Sequence, residues 1–225
     1  MATFEQHVNV AVIATGVLIV PLHSSGILDV SQSIAVLGLG LIGGLLPDLD
    51  SDNSKPIQIV FKILSIFLPL LILLAIPVEL SILKMIIAWV VASLVLHLTV
   101  FKLFLSLTVH RGIFHTIPMG ILFGQLTTAM FYYVIGSDLT FSTIAGIFIT
   151  FGFFIHLLLD EFISLNALGL RMKKSFGTAF KLYYKHNILG TAILYLLVVA
   201  SYFVLQIDND IFNNIYTILK NSKVI

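Results

Sequence analysis

The sequence predicts an all-α, polytopic membrane protein, and three observations point that way. Of its 225 residues, 59% are hydrophobic and 10% charged, where a soluble domain is about half apolar and about a quarter charged. The mean hydropathy is +1.09. The apolar excess falls in long blocks, most of which reach the ~20 residues a spanning helix needs. One membrane-embedded domain over 1–225 is expected, with 207–225 as a short interfacial tail and no room for a separate soluble catalytic domain.

Seven apolar segments follow in order, giving six to seven helices. Val8–Leu28 is the first. Ser33–Leu46 has only 14 residues, about 21 Å at ~1.5 Å per residue, so it is tilted, re-entrant or buried behind others. Its Gly38, Gly40, Gly43 and Gly44 suit close helix approach in a membrane. Ile57–Ile76, Leu80–Leu107, Ile113–Ile135, Phe141–Ile163 and Ile188–Ile207 complete the set. Ile211–Lys220 then reads as a short amphipathic helix lying at the interface. Ser51–Pro56, Gly136–Thr140 and Leu165–Asn187 carry the turn residues and most of the charge.

Cysteine is absent, which excludes disulfides, thiolate metal sites and cysteine nucleophiles. The N-terminus does not read as a signal peptide, since Glu5 and His7 precede the apolar run and no basic stretch leads it.

If all seven segments cross, the loops alternate between two sides. One side collects Lys55, Lys62, Lys102, Arg111, Arg171, Lys173, Lys174, Lys181 and Lys185; the other has Lys84, Lys220 and Lys223. The positive-inside rule makes the first side cytoplasmic. The same parity places four polar clusters together on that side: His7; Asp48 and Asp50; His110 and His115; His156 and Asp160. His and Asp are unfavourable near lipid and tend to be paired or bound. They are also common ligands of divalent metals.

Each cluster has a plain reading beside the chemical one. His156 and Asp160 are spaced i,i+4 and share a helix face. They can grip one ion or bond to each other. Asp48 and Asp50 repel unless a cation or a proton intervenes, or they form a solvated acidic turn with Ser51, Asp52 and Ser54. His110-Arg111-Gly112-Ile113-Phe114-His115 can direct two histidines at a metal across a glycine, with Arg111 as a fixed phosphate contact. It can also be a basic loop. His7 alone is an edge residue, and its weight comes from parity. Arg171-Met172-Lys173-Lys174 reads first as a contact for anionic headgroups, and more sharply as Lys173 or Lys174 holding substrate phosphate. His23 and His97 read as structural, and His186 as a supporting residue.

These strings resemble the YdjM-like family of membrane-bound metal-dependent hydrolases. The likeness is carried by His7, Gly44-Leu45-Leu46-Pro47-Asp48-Leu49-Asp50, His110-Arg111-Gly112-Ile113-Phe114-His115-Thr116 and His156-Leu157-Leu158-Leu159-Asp160, and runs from His7 to about Lys181. Thr116 stands where the family more often has Ser. Ser164 and Gly169 are the nearest matches to its usual Thr and Gly after the last Asp. A more distant likeness is to zinc-dependent phospholipase C and related zinc nucleases. The resemblance implies a multi-pass protein of a bacterial inner membrane with a His/Asp metal centre and a hydrolase activity.

The expectation is therefore a metal-dependent hydrolase at the cytoplasmic face, cleaving a phosphoester of a lipid or lipid-linked substrate. His7, Asp48, Asp50, His110, His115, His156 and Asp160 would hold divalent metal, with two ions favoured because seven ligands exceed one tetrahedral site. Zinc is the first choice from the histidine share, with manganese or iron as alternatives. Asp48, Asp50, Arg111 and His115 would serve catalysis. Arg111, Lys173 and Lys174 would neutralise phosphate. Membrane lipids are the expected partners, and nucleic acid is not. The rival from another class is a divalent-cation or proton-coupled transporter, since intramembrane Asp and His mark ion paths too. A membrane interaction protein with a structural metal is the third reading.

Overall fold

The computed structural model describes residues 2–50, 58, 62, 63, 65–67, 69, 70, 73, 81–100, 112–164, 180–205 and 209–221. Among them the regular elements are helices, and six are long and apolar enough to cross a membrane: Phe4–Ser24, Val30–Asp48, Ile82–Thr99, Ile117–Ile135, Leu139–Ile163 and Ile188–Leu205. The chain is an all-α, multi-pass membrane protein, as its composition predicts. The expected segment Ile57–Ile76 lies mostly outside the described residues. The chain divides into two compact units, one of Met1–Pro47 with Ile113–Ile225 and one of Asp48–Gly112.

In the first unit, α1 (Phe4–Ser24) starts four residues before the apolar run. The reason is a capping box. The Thr3 hydroxyl accepts from the Gln6 amide while the Gln6 side chain accepts from the Thr3 amide, satisfying two helix-end donors. α2 (Val30–Gly43) starts three residues early for the same reason, through Asp29 and Gln32. Bonds from the Gln32 amide and the Ser31 hydroxyl hold the exposed Asp29 carboxyl below its ordinary range. Between the two helices, Gly26 takes a φ of 75°, which favours glycine.

A tight 3-10 turn, Leu46–Asp50, leads out of the first unit. The chain re-enters at a second 3-10 turn, Ile113–His115. The single apolar segment expected over Ile113–Ile135 is broken here. The Thr116 hydroxyl donates back to the Ile113 carbonyl at 2.7 Å, and Pro118 sits in the first turn of the next helix, where its missing N–H would go unsatisfied anyway. In the second unit, α3 spans Ile82–Val95 and passes into a π-turn, Leu96–Val100. Back in the first unit, α4 runs Ile117–Ala129 and passes into its own π-turn, Met130–Ile135.

α5 (Leu139–Ser164) packs against α1, α2 and α4. Its buried face repeats with helical spacing through Ala145, Ile149, Phe153, His156 and Asp160. Lipid offers helices no hydrophobic reason to associate, so small residues that admit close backbones set the contact. Gly152 is so close to the Gly40 carbonyl that a Cβ would collide with it, and Gly43 stands likewise against the Ile149 carbonyl. Gly38, by contrast, faces open space. At the other half of the unit, Leu28, Val36, Ile144 and Phe148 form an apolar core.

α6 (Ile188–Leu205) packs on α4. The Ser201 hydroxyl donates to Gln125 Oε1 at 2.7 Å, an interhelical bond worth roughly 0.6–2 kcal/mol in a membrane. α7 (Asn209–Asn221) covers the expected amphipathic stretch and rests Ile215 on the apolar core.

Candidate metal centre

Three elements of the first unit deliver four ionisable side chains to one place. His7 comes from the first turns of α1, His115 from the 3-10 turn before α4, and His156 with Asp160 from the last turns of α5. Each is 1–3% exposed. The His7 and His156 rings stack with centroids 3.7 Å apart and planes 7° from parallel. His7 Nε2 is 3.6 Å from Asp160 Oδ1. The His115 ring meets His156 edge-on at 5.7 Å. One ligand atom each from His115, His156 and Asp160 lie within 4.8 Å of one another.

Backbone contacts hold these side chains. His156 Nδ1–H donates to the Gly44 carbonyl at 2.7 Å. That bond places the proton on Nδ1 and leaves the lone pair on Nε2, the arrangement that orients metal-binding imidazoles. The bond depends on the glycine seam between α2 and α5, since Gly152 lies one turn before His156 and Gly44 carries the accepting carbonyl. A Cβ on Gly44 would sit 2.7 Å from the Ala11 Cβ. Asp160 Oδ1 accepts the Ala2 amide at 3.1 Å. The turn carrying His115 is pinned from the far side, where the Ile117 amide donates to the Lys181 carbonyl at 2.9 Å.

The donor set fits a divalent cation. Three imidazoles and one carboxylate are the ligand types of zinc, iron and manganese sites. Burying four such groups is costly unless something binds them. His7 Nδ1 is buried without a hydrogen-bond partner among the described residues, which leaves a donor atom available.

Of the residues singled out from the sequence, His7, His115, His156 and Asp160 are brought together. Asp48 is half-buried in the 3-10 turn and is the first residue of the second unit. Asp50 closes that turn, and its side chain lies outside the described residues. His110, Arg111, Lys173 and Lys174 also lie outside them. His186 is exposed beside the Tyr184 ring, away from the cluster. His23 has a structural part, since its Nδ1–H donates to the Leu28 carbonyl at 3.0 Å across the α1–α2 turn. The sequence reading missed the Gly44 carbonyl, the Ala2 amide and the Lys181 carbonyl. All three act through backbone atoms, which leave no residue-type signature. The glycine run before Pro47 was the one signal for the first of them.

No family model, curated protein or solved structure matches the chain. The functional reading therefore rests on the cluster and on the motifs that carry it.

Proposed function

We propose that the chain is a metal-dependent hydrolase embedded in the membrane, of the YdjM-like kind, cleaving a phosphoester of a lipid or lipid-linked substrate. The supporting observation is the buried convergence of His115, His156 and Asp160, with His7 stacked on His156. In this reading these four residues would hold one divalent ion, zinc first. His156 would offer Nε2, because Gly44 holds its Nδ1 proton. Asp160, whose carboxylate accepts the Ala2 amide, would be a further ligand. A bound divalent ion lowers the pKa of a water toward ~7 and so supplies the nucleophile. Asp48, Asp50 and His110 are retained as ligands of a second ion. Arg111, Lys173 and Lys174 are retained as the cations that neutralise phosphate. The positive-inside count assigns the site to the cytoplasmic side, and the family resemblance assigns the membrane to a bacterial inner membrane.

The test is elemental analysis of the purified full chain together with a screen of phosphodiester and lipid-phosphate substrates. Bound zinc, manganese or iron with turnover is the expected result. His115→Ala and Asp160→Ala should lose the metal, and turnover should fall at least the ~100-fold that removing an outer-sphere partner already reaches. Unchanged turnover in either variant overturns the reading. So does metal uptake into proteoliposomes with no hydrolysis, which is the transporter's signature.

A further inference from the structure

The second unit holds a cavity of about 520 Å³ whose wall mixes polar and apolar side chains: Gln58, Lys62, Ser65, Ser93 and His97, with Ile66 and Leu94. Two helical faces build it. Gln58, Lys62 and Ser65 lie three to four residues apart on one segment, and Ser93 and His97 are i,i+4 on α3 and its π-turn. Both spacings put the residues on one side of a helix. The two walls are tied together, since the indole N–H of Trp89 donates to the Ile66 carbonyl at 2.8 Å.

We propose that this cavity binds the phosphate group of an anionic lipid headgroup or of a free phosphate. No carboxylate is among the described residues that line it, so its fixed charge is the cation of Lys62. The Ser65 hydroxyl donates to the Lys62 carbonyl at 3.0 Å; the Gln58 carboxamide, the Ser93 hydroxyl and the His97 imidazole are further groups of donor type. Such groups around one cation suit an anion with several oxygens. The Ser93 hydroxyl is buried with no hydrogen-bond partner among the described residues, which leaves a donor for the ligand.

The walls favour the lipid source. The long stem of Lys62 lets its charge reach a membrane interface. Ile66 and Leu94 line the cavity and are also 38% and 54% exposed, giving acyl chains an apolar exit. This site shares no residue with the proposed metal centre.

The chain has one tryptophan, Trp89, one helical turn from Ser93 and bonded to the carbonyl of Ile66 in the cavity wall, so its fluorescence senses changes in that wall. The full chain in a maltoside detergent would be titrated with short-chain phosphatidylglycerol, with diacylglycerol of the same chain length, and with inorganic phosphate. Saturable change with phosphatidylglycerol and none with diacylglycerol is expected. Lys62→Gln and Ser93→Ala should each weaken the response about tenfold, the scale of one hydrogen bond to a charged group. Both variants should keep the wild-type metal content and any hydrolase activity. Equal saturation by inorganic phosphate would support the site and assign it to the soluble source. A diacylglycerol response equal to that of phosphatidylglycerol, or an unchanged response in both variants, overturns the proposal.

Discussion

The two units use similarly apolar helices to different ends. α5 in the first unit buries a full face, from Ser142 to Asp160. α3 in the second unit, equally apolar, buries none of its residues. Phe, Ile and Leu dominate α5, and Ile, Val and Leu dominate α3, so apolarity does not separate them. Small residues do. α5 carries Gly146 and Gly152, which meet Gly124 and Gly40 across helix seams, whereas α3 has no glycine. In a solvent as apolar as the side chains, helices pack where backbones can approach. The polar residues follow the same division. In the first unit they converge at the end of a tight seam, and in the second they line an open cavity.

Three substitutions probe that contrast. Gly152→Leu should have the largest effect, because the new side chain has to displace the backbone of α2 at Gly40. A loss of about 3 kcal/mol or more is expected, read by thermal unfolding in detergent. Val90→Leu on the exposed face of α3 should stay within ~0.5 kcal/mol. If Gly152→Leu melts like the wild type, the glycine seam does not set the packing.

Gly44→Ala is the intermediate case. Its Cβ crowds Ala11 and shifts the carbonyl that holds His156, so metal should bind about tenfold more weakly. Competition with a chromophoric chelator measures this. Wild-type affinity would remove Gly44 from the orienting role.

The smallest effect is expected at the helix starts. The Asp29 carboxyl is held below its ordinary value of 3.8, so its charge contributes stability above that value and loses it as pH falls through the lower folded one. Asn also caps helices, so Asp29→Asn isolates the charge. The melting temperature of Asp29→Asn should lie slightly below wild type at neutral pH and converge with it in acid. Ser81 at the start of α3 makes no side-chain capping bond, so Ser81→Ala should change nothing at any pH. A gap between Asp29→Asn and wild type that persists in acid would refute the carboxylate account.

The helices were legible because apolar runs of spanning length have few alternatives. Their starts were not, since the run of apolar residues lags the capping boxes at Thr3 and Asp29 by four or five positions. That lag is why His7 read as an edge residue when it lies inside α1. The pairing of His156 with Asp160 was visible in the i,i+4 spacing. Parity had grouped His7 and His115 with them, and in the structure these four meet. Gly44 was visible as a packing residue only, because the atom that matters is its carbonyl, 112 positions from His156. His97 read as structural because parity or depth sets it away from the His and Asp clusters. Its cavity partners Gln58 and Lys62 lie some 35 to 40 positions earlier.

The contact between the Ala2 amide and Asp160 joins residues 158 positions apart. At roughly 5–20 residues per second, a ribosome takes on the order of 8–30 s to make the second after the first. Through almost all of that interval α1 is already synthesised while His7 lacks His156, on which its ring stacks, and Asp160. The membrane must tolerate a first helix whose histidine has yet to meet these partners, and that histidine lies in the opening turns of α1. The cluster closes only when α5 is complete, and if it is the metal centre proposed above, cells that make the chain in low-metal medium should accumulate it inserted but without metal.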